Sequence, residues 1–518
     1  MDLDQSVRAR CGCGLSRRKF LGACAALGAG ALGLEAAAKA PEEAPPKAKV
    51  RLVFTHVPST GPIWPNIGYD FDRRKRELAE KLAKACPEIE FLPATAMNAG
   101  DAKKILEGDA EVDGYLVYTV GIWTGAPRAI SASGKPTLFV DDLYGGSGEF
   151  LIAYAGAVRA GEKVAGVSSS RFEDVAEAAR TFAILKRGAS ADEFVAACAE
   201  KRKGSTPKAS GVRPKPDAVS ALAVAECLER LRGKTLLVVG GGWGMPGSGK
   251  AVRDTLGIQV MPIEFSELHA AWERADRAEA EKWAERWRKG AEKIVEPTFD
   301  DLRASGAMHV AMLELLDKHN AQGITINCLG GFYGGHLKAY PCLGFTELND
   351  AGMVGGCEGD VNSAVTMLAV GTLTGRPGFI SDPVIDTSKR QIIYAHCVAP
   401  TKVFGFEGPK CPYHIRSHSE DRKGASVRSL LPLGYQTTTI EIDCSRQKIV
   451  LHQGRAAENI DEDKACRTKL AVEVAGDTEK LLTYWDQWGW HRVTFYGDLK
   501  PGIAELAKAL RMEVIEEA

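Results

Sequence analysis

The sequence predicts an α/β protein with two doubly wound, Rossmann-like domains followed by a strand-rich, barrel-like C-terminal domain. Three observations lead there. Between Lys49 and Val140, short apolar strand patterns alternate with helical ones, as parallel βαβ units require. The alternation resumes near Lys163–Val167 and runs on to the helical stretch Val361–Leu373. Past Asp382, strand patterns follow one another without long helices between them, which is an antiparallel signature. At 518 residues the chain is too long for one core. Charge is nearly balanced, at −1 overall, with no basic arm or stripe, so nucleic acid is not an expected partner.

The N-terminus reads Ser16-Arg17-Arg18-Lys19-Phe20-Leu21, then a mildly apolar run to Leu34 and small residues at Ala36–Ala38. This is the pattern of a twin-arginine export signal over residues 1–40, which places the mature protein in the periplasm or its equivalent. The apolar run is shorter than the roughly 18 residues that span a bilayer, so no stable membrane anchor is expected. Cys24 follows Arg18 too closely for a lipoprotein cleavage site. Cys11, Cys13 and Cys24 fall in the signal; the other ten cysteines are widely spaced with no CxxC pair, which argues against zinc ribbons and thioredoxin-like sites. A chain that folds before export is expected to carry them as buried free thiols.

After a polar linker, the first α/β domain (41–160) opens with a strand over Lys49–His56 and a charged helix over Asp72–Cys86. Further strands are expected at Glu90–Leu92, Gly114–Val120 and Pro136–Val140. The loops Pro58–Trp64, Gly121–Gly125 and Asp141–Gly148 would then share one sheet edge, where open α/β sheets bind ligands. The second domain (161–375) begins near Lys163, with a solvated, basic and proline-rich excursion at Lys201–Pro216. Its strand Thr235–Val239 runs into a glycine-rich stretch in which Gly244–Lys250 matches G-x-x-x-x-G-K. Ala251 stands where a phosphate-binding loop needs Ser or Thr, so a glycine turn at a helix start is the better reading. A long helix over Ala271–Ile294 carries Trp272, Trp283 and Trp287, residues expected in the core. A further helix, Thr298–His319, holds His309 and His319, expected to be structural. The third domain (376–518) has strand patterns at Gln391–Ala395, Ser426–Leu431, Thr437–Ile442, Lys448–Leu451 and Ala471–Val474, and closes with Trp490–Tyr496, a helix and Met512–Ile515.

The chemistry concentrates between Pro341 and His396. A glycine-rich turn, Gly352–Gly359, presents Glu358 and Asp360 just ahead of the helix Val361–Leu373, which puts Glu358 at a helix start. After the break Gly375-Arg376-Pro377, a short strand, Gly378–Ser381, delivers Asp382 at its end. Two acids in apolar surroundings call for a partner, and a divalent cation would satisfy both. Arg416 and His418, in Ile415-Arg416-Ser417-His418, are candidates for hydroxyl contacts with a substrate.

The run CLGFTELNDAGMVGGCEGD, with TML, TGRP, SDP and AHC downstream, resembles the C-terminal half of the L-fucose isomerase and L-arabinose isomerase superfamily. The resemblance covers roughly the last 180 residues. It implies Glu358 and Asp382 as catalytic acid/base groups and as ligands, with His491 as third ligand, of a manganese-type ion, Mn2+ or another divalent cation such as Mg2+. Carboxylates with one imidazole suit such an ion better than zinc. It places His396 near the sugar. It also implies a small-molecule sugar substrate and a homo-oligomer, a trimer or hexamer, in which Pro58–Trp64 serves a neighbouring subunit's site. The expected function is a metal-dependent sugar isomerase that interconverts an aldose and a ketose through an enediol. An exported sugar-binding protein without catalysis, and a sugar epimerase on the same fold, stay open as alternatives.

Overall fold

The computed structural model describes residues 46–242 and 248–518; the segment expected to be an export signal and most of the glycine-rich loop, at 243–247, lie outside them. The first sheet is built from β1 (Ala48–Thr55), β2 (Ile89–Ala96), β3 (Gly114–Thr119), β4 (Thr137–Asp141) and β5 (Val164–Ser168). Its order is β2-β1-β3-β4-β5 and every pairing is parallel. β3, β4 and β5 are buried along their whole length, as expected of strands covered by helices on both faces. The pattern near Lys163, read as the start of a second unit, is the fifth strand of this first sheet. The helix Ser147–Arg159 is long enough to return the chain to the same sheet.

The second sheet has the order β10-β9-β6-β7, again parallel, from β6 (Thr235–Val239), β7 (Gln259–Ile263), β9 (Gly323–Ile326) and β10 (Val354–Gly356). The two-residue β8 (Lys293–Ile294) belongs elsewhere, beside β13 below. The long helix expected over Ala271–Ile294 is two helices, Phe265–Arg274 and Arg277–Gly290. Asp276 breaks it by capping the second helix, its carboxylate accepting from the N–H groups of Ala278 and Glu279. His309 sits against Trp283, ring centroids 4.4 Å apart, and burial lowers its pKa to about 4.

The C-terminal strands close on themselves. β11 (Phe379–Asp386), β12 (Gln391–His396), β15 (Gln436–Asp443), β16 (Lys448–Asn459), β17 (Thr468–Val474) and β18 (Arg492–Tyr496) run β15-β18-β11-β12-β17-β16, and β15 also pairs with β16. All six contacts are antiparallel, so the ring is a barrel. β19 (Glu513–Glu516) adds to β16 in parallel. β13 (Tyr413–Arg416) and β14 (Ser426–Ser429) form a small sheet with β8. Asp382 therefore lies inside a strand, not at the end of one. It follows Ser381, the last β11 residue paired with β18, and precedes Pro383, which has no N–H to give. Its side chain emerges where β11 parts from its neighbour.

The helix Val361–Thr374 joins the layers, packing on β10 and β9 on one side and on β15, β11 and β18 on the other. All its residues but Thr372 are buried, which explains an apolar pattern with no polar face. Each fully buried aliphatic side chain contributes about 1.5–3 kcal/mol. The ten cysteines of the described residues are free and buried. No helix among those residues is long and apolar enough to cross a membrane.

Candidate active site

The turn that carries Glu358 is shaped by close backbone approach. A Cβ on Gly359 would stand 2.8 Å from the carbonyl oxygen of Gly241, and one on Gly242 would stand 2.9 Å from that of Gly359. The glycines after β6 are thus required to let this loop against the Glu358 turn. Lys250, beyond them, makes an exposed ion pair with Asp254. Glu358 itself is left-handed, φ 60°, a conformation costing a side-chain-bearing residue about 1–2 kcal/mol and typical of functional turns. The helix begins at Val361 as expected, but Glu358 stands two residues ahead of the N-cap instead of at the helix start itself. The N-cap is Asp360, whose Oδ1 accepts from the N–H of Ser363 at 3.0 Å.

Four side chains meet beside this turn. Ligating atoms of Glu358, Asp382, His396 and His491 all lie within 4.8 Å of one another, and the group could hold a divalent cation. His491 Nε2 is 3.6 Å from Glu358 Oε2 and 3.4 Å from Asp382 Oδ1. His396 Nε2 is 3.5 Å from Glu358 Oε1. Asp382 is oriented by the indole of Trp490, whose Nε1–H donates to Oδ1 at 2.6 Å. Trp490 is in turn tied by its carbonyl to Trp485 Nε1 at 2.7 Å.

The two imidazoles present opposite faces of their chemistry. His491 Nδ1 is 2.9 Å from Asp360 Oδ2; a carboxylate only accepts, so Nδ1 carries a proton, and Nε2 is the nitrogen that faces Glu358 and Asp382. Carboxylate–histidine pairs of this kind orient metal-binding imidazoles. At His396 the backbone N–H of Cys397 donates to Nδ1 at 3.0 Å, so the proton sits on Nε2, which is buried and makes no hydrogen bond. Burial alone would lower His491, but the hydrogen bonds it donates to Asp360 and Asp382 overcome it and hold the imidazole well above its usual range, so a cation bound at Nε2 would displace the proton there. The same contacts override burial to keep Asp360 and Asp382 below theirs. Glu441, nearby on β15, accepts from Ser363 Oγ, and burial with the Asp360 charge pushes it far up. Acids gathered this closely are stabilised by positive charge, which the two imidazoles can carry and a bound cation could supply.

Glu358 and Asp382 also line a cavity of about 100 Å3. Its walls are Trp64 and Ile122–Trp123 from the first domain, Leu329, and Trp490. The loop expected to serve a neighbouring subunit thus reaches the site of its own chain through Trp64. One more carboxyl lines the cavity: Glu420, which accepts the Tyr333 hydroxyl and is pushed by burial up to about 7. Arg416 and His418 are not among the lining residues. Arg416 is engaged by Glu296 and Asp463, and His418 is packed with Tyr340 and Phe332, its Nδ1 3.1 Å from Asp421. Sequence reasoning paired Asp360 with Glu358 but gave it no role of its own, and it missed Glu420. The first was legible as an N-cap, an Asp just before an apolar helix; the second had no local signal beyond lying two residues past His418.

No family model matches the chain. The chain is similar to curated sugar isomerases. Over 269 residues it is 24% identical to a "Sulfoquinovose isomerase" of Clostridium sp. (strain MSTE9), covering 50% of this chain and 58% of that protein. A protein of the same name from Alkalicoccus urumqiensis is 24% identical over 152 residues, 29% of this chain and 33% of that protein. Another from Priestia megaterium (strain ATCC 12872 / QMB1551) is 22% identical over 204 residues, 38% and 44%. The chain thus spans little more than half the length of the first relative and less of the others. Among solved structures, the transcription regulator CcpA of Lactococcus lactis matches at a TM-score of 0.16 and 11% identity, over 62% of this chain and 92% of that one, which carries no argument.

Proposed function

We propose that this protein is a metal-dependent aldose–ketose isomerase acting on a sugar in the cavity beside Glu358, Asp382 and His491. The observation that carries the proposal is the Asp360–His491 pair aimed at two facing carboxylates. The printed names of the relatives support the reaction class.

Glu358, Asp382 and His491 Nε2 would hold the ion, an oxygen-rich set that favours Mn2+ or Mg2+. When bound, such an ion polarises a carbonyl and offsets charge developing on the two sugar oxygens, several kcal/mol where each 1.4 is a factor of ten. Isomerisation moves one proton between C1 and C2 and another between O1 and O2. Glu358, whose carboxylate lies 3.5 Å from His396 Nε2 and is fixed by no short protein hydrogen bond, is the base for the carbon-bound proton. Asp382, oriented by Trp490, exchanges the oxygen-bound one. The Nε2–H of His396, buried and 3.5 Å from Glu358 Oε1 with no shorter contact among the described residues, is available to donate to a substrate oxygen. The indoles of Trp64, Trp123 and Trp490 provide apolar faces for the sugar and limit water.

The test is to incubate manganese-loaded protein with a panel of aldoses and ketoses in deuterated water. Interconversion with deuterium at C1 or C2 is expected. Inversion at a carbon without aldose–ketose conversion would make the protein an epimerase, and tight binding with no turnover would leave only a sugar-binding role. A homo-oligomer, trimer or hexamer, is proposed as well; a monomer in light scattering at micromolar concentration contradicts it.

A further inference from the structure

We infer that Glu420 sets the substrate class of this site, admitting neutral sugars through their hydroxyl groups and excluding sugars that carry a sulfonate, phosphate or carboxylate. The inference rests on the proposed isomerase function only in taking the cavity as the place where the sugar binds.

Glu358 and Asp382 have a role at the ion; Glu420 is a third carboxyl in the same cavity and has none. Its Oε2 accepts the Tyr333 hydroxyl, and among the described residues no group donates to its Oε1. The carboxyl is held in place from behind as well. The N–H of Ile67 donates to the Glu420 backbone carbonyl at 2.7 Å, so the loop that ends in Trp64 and the loop that carries Glu420 form one wall. Trp123, Trp490 and Leu329 line the same cavity.

Among the described residues that line the cavity there is no Lys and no Arg. An anionic substituent beside Glu420, away from the ion's ligands, would lie among indoles and a carboxylate, with no cationic side chain or fork of N–H donors to replace its water. Like-charge juxtaposition in a water-poor cavity is strongly unfavourable. A hydroxyl fits the same surroundings, because it donates to Glu420 while the C–H face of the sugar packs on an indole. Two features of the cavity therefore select against the same substituent, one by repulsion and one by the absence of a counter-charge.

The test uses the manganese-loaded full chain at pH 8, above the value of about 7 to which burial raises Glu420. Binding is read by quenching of tryptophan fluorescence, and turnover in parallel, for neutral pentoses, hexoses and their alditols and for the matching 6-phosphates and 6-sulfonates. The best neutral sugar is expected to bind at least about a hundredfold more tightly than its anionic counterpart. Glu420→Gln, nearly isosteric and still able to accept from Tyr333, is expected to narrow that gap at least tenfold with metal content unchanged; Glu420→Ala is the second variant should the first not fold. Three results would overturn the inference: an anionic sugar bound as well as its neutral parent, a gap that Glu420→Gln leaves unchanged, or no binding of any neutral sugar in the panel. Selective binding without turnover would remove the isomerase function while leaving the role of Glu420 standing.

Discussion

Asp360 holds two parts of the molecule with one carboxylate: Oδ1 caps the helix Val361–Thr374, and Oδ2 lies 2.9 Å from His491 Nδ1, 131 residues away in sequence. The cap ties the acid to a buried helix, and the second contact fixes which nitrogen of His491 faces Glu358 and Asp382. Asp360→Asn keeps an oxygen for the cap, since Asn and Asp cap about equally well, but loses the charge that holds the imidazole. Manganese affinity measured by calorimetry is expected to fall about 10–100-fold while thermal unfolding changes little. Unchanged affinity would show that His491 is oriented by something else.

Glu358→Gln preserves size and one oxygen ligand while removing the base. Turnover of the sugar identified in the panel is expected to fall at least about a thousandfold, roughly 4 kcal/mol of transition-state stabilisation. Metal content and turnover both at wild-type level would sink the assignment of Glu358.

The segment that carries Trp490 and His491 is gathered by Arg492, whose guanidinium donates to the carbonyls of Trp485, Trp488, Gly489 and His491 and pairs with Glu517 at 2.9 Å. Burial would raise Glu517, but Arg492 and His452 hold it down at about 2. Glu517→Ala leaves a buried arginine without its partner. Chemical denaturation is expected to show a loss of about 3–5 kcal/mol. A loss below about 1 kcal/mol would mean that the carbonyls alone suffice for Arg492.

His309 supplies the acid limb of stability. Its folded pKa of about 4 lies below the ordinary 6.5, so the unfolded chain binds the proton more readily. The contribution is complete above pH 6.5 and lost as pH falls toward 4, up to about 3 kcal/mol. Relative to wild type, His309→Phe is expected to unfold with a flatter pH dependence between 6.5 and 4. Parallel curves for the two proteins would contradict this.

Export is proposed from the twin-arginine pattern at Ser16–Leu21 alone. With Arg17→Lys and Arg18→Lys together, the protein is expected to stay in the cytoplasm when fractions are probed with antibody. Undiminished export of the double variant would remove the twin-arginine reading.

Local pattern determined much of this protein. Alternating strands and helices carry the information for parallel sheets, and apolar strands without helices between them carry that for the barrel, because side-chain period and connection length are local properties. Glu358, Asp382 and His491, which the structure brings within 4.8 Å of one another, were singled out through a motif resemblance. Tertiary structure decided the rest. β5 joined the first sheet because pairing depends on which edge the crossover helix returns to. Asp382 proved to sit within β11, since the strand outlasts its pairing with β18. The proton positions of His396 and His491 depend on Cys397 N–H and Asp360, and the acidic wall of the cavity depends on Glu420 meeting Trp64 through the Ile67 contact. Those are relations between segments far apart in the chain. Their energies, set by burial and by the distance between charges, exist only once the chain has folded.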